Sequence, residues 1–367
     1  MKLNRVALSN FRNYAELDLE PAAGLNVFVG QNAQGKSNLL EAIAMLGTGK
    51  SFRTNRDADL VREGVELAVV RGDAEIRAGT VHLGCTIGKG ARATRKTYTI
   101  NGQGVRYARF LGSIRVVTFV PADLHLVGGP PSLRRALLNI ALAQEDRTYF
   151  HELARYQKAL QQKSAMLRGT ISFDSDLLAI YDHTLVESGT VVMLARNHFI
   201  TELKREAERT HAHWTNGAER LEVGYAPNVA FDAPTAEAVA GAFAHRLRQV
   251  ADAERLRRTS LAGPHRDDLS LVLDGHPLAA YGSQGQQRTA VLALKVAEYA
   301  VMRDRSNEAP LLLLDDVLSE LDRERAAAFL AGIGDYAQAF VTTTQLPEGL
   351  PGAASVFEIA RATVRAC

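Results

Sequence analysis

Short apolar bursts separated by turn residues fill the chain up to about residue 125. The runs "VALSNF", "LNVFV", "TVHLGCTIG" and "RKTYTINGQGV" carry β-branched and aromatic residues between Gly and Asn-Gly turns, the pattern of strands. One helix interrupts them: after Ser37, the residues Leu39, Leu40, Ile43 and Leu46 share one helical face. From about Pro130 to Arg258 the period lengthens. In "RTYFHELARYQKALQQKSAMLRG", Leu153, Tyr156, Leu160 and Leu167 fall near heptad spacing. The stretch "SDLLAIYDHTLVESGTVVMLARNHFITELKREAERTHAHW" keeps a helical pattern long enough for ~60 Å at 1.5 Å per residue. With "ISFDS" as a turn between them, the two predict antiparallel helices in a stubby lobe, joined by a third helix from Glu237 to Arg258. Core packing accounts for these apolar positions.

From Leu261 strand signals return in "LSLVLDG". A helix "GQQRTAVLALKVAEYAVMR", a bare apolar strand "PLLLLDD", a helix "DRERAAAFLAGI" and a strand "AQAFVTTT" follow. Strand–helix alternation with a continuous apolar strand argues for a buried parallel sheet. The expected architecture is α/β, with one lobe built from residues 1–128 and 261–367 and a mostly helical lobe, 129–260, inserted. No internal repeat or low-complexity tract is present.

The 367 residues are 46% hydrophobic and 23% charged, the balance of a soluble globular chain. Two cysteines, Cys85 and Cys367, make no disulfide framework, which points to a reducing, cytoplasmic setting. No uninterrupted apolar run reaches membrane-spanning length, and "MKLNRVALSNFRNY" lacks the apolar core of a signal peptide, so no membrane partner is expected. Lys plus Arg 43 against Asp plus Glu 41 leaves a net charge of +2, which excludes a histone-like polycation. Any nucleic-acid contact must come from local patches.

Candidate chemistry starts at Gly30-Gln31-Asn32-Ala33-Gln34-Gly35-Lys36-Ser37, a full match to G-x-x-x-x-G-K-[ST]. The glycines let the backbone wrap so that successive N–H groups face phosphate oxygens, and the helix continuing through Asn38 adds its positive end. Lys36 would reach the β- and γ-phosphates, and the Ser37 hydroxyl would take a Mg²⁺ position. A strand before the loop and an apolar-faced helix after it are the context the motif demands. Far away, "LLLLDDVLSELD" (Leu311 to Asp322) is an apolar strand ending in two acids, placed where open α/β sheets hold their ligand chemistry. Asp315 would hold the metal opposite Ser37, and Asp316 would orient or deprotonate an attacking water. In "YGSQGQQRTAVLALKVAEY", Ser283, Gly285 and Gln286 open a helix whose body is Thr289 to Arg303, a second helix start able to read phosphate.

Phosphate loop, Ser-x-Gly-Gln, apolar-Asp-Asp and Ser-Glu-Leu-Asp, in that order, resemble the ABC-type head of the SMC-like chromosome-repair ATPases. That resemblance implies a P-loop ATPase head in which the Ser-x-Gly-Gln of one protomer closes over the γ-phosphate in another. "SELD", Ser319 to Asp322, resembles the D-loop that crosses such an interface. Within this group the chain is similar to the RecF family of recombination mediators. "LSNFRNY", "GQNAQGKSNLLEAI", "GKSFR", "PADLHLVGGPPSLRR", "GPHRDDL", "GSQGQQRTAVLALKVAE" and "LLLLDDVLSELD" carry the likeness over almost the whole chain. It implies ATP and Mg²⁺ as cofactors, Arg12 as a further nucleotide contact and an ATP-dependent homodimer. It also implies binding of DNA and loading of RecA at single-strand gaps together with RecO and RecR.

Three departures bear on catalysis. "VVTFVPADL" offers no Gln at the expected strand end, "AFVTTTQLP" offers Thr343, Thr344 or Gln345 in place of the switch His, and the usual catalytic Glu is Asp316. Shortened or missing groups predict slow turnover, since ~1 Å of misplacement can be worth about 10²-fold. Candidate DNA contacts are the clusters Arg53 and Arg56, Arg134 and Arg135, and Arg246, Arg248, Arg255, Arg257 and Arg258. A GTPase is disfavoured by the absence of Asn-Lys-x-Asp. A phosphotransferase is disfavoured because the His265-Arg266-Asp267 of "GPHRDDL" has no Asp-Phe-Gly partner. A scaffold in which nucleotide only holds a dimer together, or another SMC-like chromosome-maintenance head, stays open.

Overall fold

The computed structural model describes residues 1–90, 93–172, 174–317, 336–346 and 354–367. The chain divides into two compact units, 1–124 with 298–367, and 125–297.

The first unit begins with an antiparallel sheet. Strands β1 (Lys2–Phe11), β2 (Tyr14–Leu19), β4 (Leu67–Ile76), β5 (Gly79–Lys89), β6 (Thr94–Ile100) and β7 (Gln103–Val105) pair in the order β2-β1-β4-β5-β6-β7. β3 (Gly24–Val29) belongs elsewhere and leads through the glycine loop into helix α1 (Lys36–Thr48). Leu39, Leu40, Ile43 and Leu46 of α1 are fully buried, as their spacing requires. A short helix, α2 (Tyr107–Phe110), precedes β8 (Val116–Phe119).

The second unit carries α3 (Pro131–Glu145), α4 (Arg147–Leu167), the 40-residue α5 (Ser175–Trp214) and α6 (Ala236–Arg257). It also has a small antiparallel sheet of β9 (Leu221–Ala226), β10 (Asp268–Leu273) and β11 (His276–Pro277), ordered β11-β10-β9. An 18-residue stretch of α5 has a mean hydropathy of 1.2, but the helix packs on α4, α6 and β9 and buries Arg196. Its core joins Tyr156, Leu185, Met193, Phe243 and Leu247. α7 (Leu278–Tyr281) and α8 (Gln284–Ser306) follow, and the boundary between the units falls within α8.

This placement differs from the expected divide at residue 261. "LSLVLDG" is β10, which pairs antiparallel with β9 rather than joining a parallel sheet, so residues 261–297 group with the helices. The reason is register: Leu269, Leu271 and Leu273 alternate with exposed or half-buried neighbours, the signature of a one-sided antiparallel strand.

Back in the first unit, β12 (Leu311–Asp315), β13 (Gln338–Thr343), β14 (Ser355–Ala360) and β15 (Thr363–Ala366) complete a second sheet in the order β15-β14-β3-β13-β12-β8. β8, β12, β13, β3 and β14 run parallel, and β15 folds back on β14. β12 and β13 are buried at every position. α1 packs against strands of both sheets, and Phe28, Leu311, Leu313 and Phe340 share its core with Val70 and Leu83. β2, β4, β9, β11, β14 and β15 are additions that the sequence pattern did not reveal. The helix expected at "DRERAAAFLAGI" and the "SELD" at Ser319 to Asp322 lie outside the described residues.

Candidate functional site

The glycine loop is built by close approach. A Cβ on Gly30 would lie 2.3 Å from the Ile359 carbonyl oxygen of β14, so only glycine lets β3 turn here. Gly35, at φ 117° and ψ −1°, caps α1 in a conformation that L side chains rarely adopt. No side chain caps this helix start and its first turn has no acid. Leu39 is the first residue whose amide closes a bond back, to Gly35 O at 3.0 Å, so the amides of Lys36, Ser37 and Asn38 precede the helical ladder. With Gln31, Asn32 and Ala33 exposed, and Ala33 left-handed at φ 63°, the loop forms a concavity of N–H groups at a positive helix end.

Lys36 folds back into this concavity, its Nζ donating to Gly30 O at 2.5 Å and Gln31 O at 3.0 Å. Burial lowers its pKa, opposed by the charges of Asp316 and Asp315. The loop is fastened from far away in sequence. Arg361 N donates to Gln34 Oε1 at 2.6 Å and Ala362 N to Gln34 O at 2.9 Å. Both donors sit in the two-residue turn between β14 and β15 with φ of 49° and 56°. The Tyr14 hydroxyl donates to Gly35 O at 3.1 Å.

The acids lie at the C-terminal end of β12, two strands from β3 and so about 10 Å across the same parallel sheet. Asp315 is 6% exposed. Thr342, fully buried on β13, donates its hydroxyl to Asp315 Oδ1 at 2.9 Å and accepts from Asp316 N at 2.9 Å. Asp316 is left-handed at φ 53°, a conformation that costs about 1–3 kcal/mol for a non-glycine residue and re-aims its side chain away from the strand alternation. Ser37 and Asp315 supply hard oxygen donors, the set that suits Mg²⁺ when phosphates and waters complete the shell. Among the described residues there is no cluster of three or more His, Cys, Asp or Glu able to hold a metal without such a substrate.

Arg12, a nucleotide contact on the family likeness, has its guanidinium engaged by protein. Nε and one terminal nitrogen donate to the fully buried Glu41 at 2.8 and 2.7 Å, and the other donates to Asp59 O at 2.8 Å. Glu41 also accepts from Ser51. Asn38 bridges Asn13 Oδ1 at 2.7 Å and an Arg53 guanidinium at 2.6 Å. The structure therefore gathers Gly30 to Ser37, Asp315 and Asp316 in one unit, with Arg12 and Asn38 on a supporting network.

In the other unit, Ser283 and Gln286 form a reciprocal cap. Ser283 Oγ accepts from Gln286 N at 3.2 Å, and Gln286 Oε1 accepts from Ser283 N at 2.8 Å. Gln286 is further held through its Nε2 to Glu219 at 3.0 Å. Gly285 O accepts from Thr289 Oγ1 at 3.0 Å. Ser283 is exposed at a helix start without a first-turn acid, so its hydroxyl, which accepts from Gln286 N, keeps its own proton to donate. Of the candidate DNA clusters, Arg134 is not available. It forms a two-point pair with Asp268 at 2.6 and 2.8 Å and donates to Leu126 O at 2.6 Å.

Sequence reasoning missed Thr342, Glu41 and the Gln34 side chain's anchor. The only sequence signal for Thr342 is a hydroxyl in an otherwise apolar buried strand, "AFVTT".

A family model described as RecF/RecN/SMC N terminal domain matches residues 2–361. A Symbiobacterium thermophilum protein named DNA replication and repair protein RecF is 42% identical over 351 residues, 95% of this chain and 92% of that protein. A Staphylococcus epidermidis protein of the same name is 38% identical over 356 residues, 95% of each. A solved structure described as the recombination mediator protein RecF-ATP in the RecFOR pathway superposes with a TM-score of 0.90 at 31% identity, covering 100% of this chain and 97% of that one. An Smc head bound to the C-winged helix domain of ScpA, at 14% identity and TM-score 0.55 with coverage of 100% and 97%, shares the fold.

Proposed function

We propose, from the premise that this chain belongs to the RecF family of SMC-like ATPases, that it is an ATP-dependent DNA clamp of replication and recombinational repair. One observation carries the reading. A complete phosphate loop with Lys36 turned into it shares a parallel sheet edge with Asp315 and Asp316, which Thr342 ties together.

In this reading the loop amides and Lys36 of one chain hold the β- and γ-phosphates of ATP. Ser37 and Asp315 would hold Mg²⁺, which would supply charge neutralisation of the phosphates. Asp316 orients the attacking water and takes its proton, and Lys36 stabilises charge on the departing oxygens. Arg12 acts through Glu41, setting the helix that carries Ser37 and Asn38. The Ser283, Gly285 and Gln286 helix start of a second copy closes over the γ-phosphate, so ATP favours the homodimer by contacts that the separate chains lack. Slow hydrolysis removes those contacts and works as a timer, resetting the clamp, with DNA speeding the step. The related RecF is described in the RecFOR pathway. The partners that follow are DNA at single-strand gaps, RecO and RecR, and through them RecA, in the cytoplasm.

Light scattering with and without Mg·ATP tests the reading. Lys36→Met is expected to lose nucleotide binding and dimerisation, Asp316→Asn to bind ATP and remain dimeric, and Ser283→Arg to bind ATP as a monomer. A normal ATP-dependent dimer from Ser283→Arg would refute the shared site.

A further inference from the structure

Two stretches of sequence, "GPPSLRR" and "GPHRDDL", take no part in the nucleotide site. In the second unit they meet at a cavity of about 470 Å³. Its lining includes Ser132, Arg135, Leu160, Ser164, Thr259 and Arg266 and, among the described residues, no carboxylate. The acids behind it already have bases: Asp267 is paired with Arg196 at 3.0 Å, Asp268 with Arg134 at 2.6 Å, and Glu254 with Lys163 at 2.7 Å. Arg135 donates once, to Asp267 O at 2.8 Å, and Arg266 once, to Ser260 O at 2.8 Å. The other donors of both guanidinium groups have no protein acceptor among the described residues.

Burial and the nearby Arg196 press the Arg135 pKa down, the condition that an incoming anion relieves. The neighbouring His265, held by the Tyr156 hydroxyl at 2.5 Å, is pushed down to about 4 by burial, so at neutral pH the positive charge of the cavity is that of the two arginines. The 15-residue α3 also starts here. Pro130 and Pro131 offer no amide and no side chain caps the end, which leaves the Ser132 amide and hydroxyl at the cavity wall.

A second cavity of about 810 Å³ follows in the same unit, lined by Met166, Leu167 and Arg168 from the end of α4 and by Arg255 and Arg258 from the end of α6. Arg258 of this cavity and Thr259 of the first are chain neighbours, about 3.8 Å apart at Cα. Two adjoining cationic hollows suit successive charges on one polymer better than a single free phosphate. The walls between the charges are apolar, Leu160 in one and the buried Met166 and Leu167 in the other, so it is the backbone of a strand that the hollows would track.

We infer that these two hollows are a binding groove for consecutive phosphodiesters of a single nucleic-acid strand. The inference takes its ligand class from the DNA-binding function proposed above and adds where the strand sits.

The test is fluorescence anisotropy of a labelled oligo-dT with the full chain and Mg·ATP, across a salt series, comparing wild type, Arg266→Ala and Ser132→Glu. A carboxylate in the first turn of α3 favours the helix while placing negative charge in the cavity, so Ser132→Glu keeps its Tm. Expected are affinity losses of about tenfold or more and, for Arg266→Ala, a log–log salt slope shallower by about 0.7, with DNA-free ATP turnover unchanged. Both variants matching wild type in affinity and slope would overturn the groove. Inorganic pyrophosphate, titrated calorimetrically against Lys36→Met so that the phosphate loop is silent, gives a second arm. Pyrophosphate binding lost in Ser132→Glu while strand affinity stays intact would mark a free-phosphate site and equally overturn it. Wild type that ignores oligo-dT but binds a labelled duplex of the same length also overturns the single-strand groove, whereas wild type that ignores both refutes the proposed DNA function.

Discussion

Replacing Thr342 by Val keeps the shape of the side chain and removes one hydroxyl. That hydroxyl makes two bonds of 2.9 Å, one to the Asp315 carboxylate and one from the Asp316 amide, in a position with no solvent access. A buried bond to a charged group is worth about 1.5–3 kcal/mol and one to a backbone amide about 1 kcal/mol, so the chain should lose about 2–4 kcal/mol of stability in urea. The sharper effect falls on turnover. Asp316 sits in a left-handed conformation that its surroundings must enforce. Freed by about 1 Å, the acid pair should slow hydrolysis by about 10²-fold, equal to about 2.7 kcal/mol of barrier. ATP affinity should stay within about threefold, because Lys36 and the loop amides carry most of the ground-state binding. Thr342→Ser should restore turnover by returning the hydroxyl. Phosphate release in single turnover is the assay. Loss of stability with wild-type hydrolysis in Thr342→Val would refute a positioning role for this residue.

Acid should weaken the second unit. Because burial pushes the His265 pKa from 6.5 down to about 4, the unfolded chain takes up the proton first as pH falls. Stability is therefore lost between about pH 6.5 and pH 4, by up to about 3 kcal/mol, and His265→Gln should flatten that slope in urea melts at pH 7, 5 and 4. Gln34→Ala removes the acceptor of the Arg361 amide and should weaken ATP binding about tenfold by calorimetry, without loss of the fold. Replacing Arg361-Ala362 by Asn-Gly, residues at ease with positive φ, should leave ATP affinity unchanged and raise stability by about 1 kcal/mol.

What the sequence made legible was local chemistry and continuous patterning. The loop from Gly30 to Ser37, the stripe on α1 and the run Leu311 to Asp315 each announce themselves within a few residues, and each sits where its pattern requires. β4 was missed because Gly72-Asp73 in its middle reads as a turn, while in the sheet it stays paired with both β1 and β5. The β14–β15 hairpin was missed because its turn, Arg361-Ala362, lacks the Gly or Asn that such φ values usually demand. Its bonds to Gln34 span more than 300 positions. Arg134 and Arg135 look alike in sequence, yet one is closed off by Asp268 and the other lines a cavity. Adjacent residues on a helix point about 100° apart, and no periodicity shows which of two arginines meets the acid.

The central claim is that one triphosphate is held by Lys36 of one chain and by the Ser283 helix start of a second copy. Steady-state hydrolysis per chain, followed at saturating Mg·ATP while the wild-type chain is diluted from micromolar to nanomolar, tests it directly. The account predicts that turnover per chain falls toward zero as the dimer separates, and that Ser283→Arg is inactive at every concentration. A turnover per chain that stays constant across the dilution would contradict it.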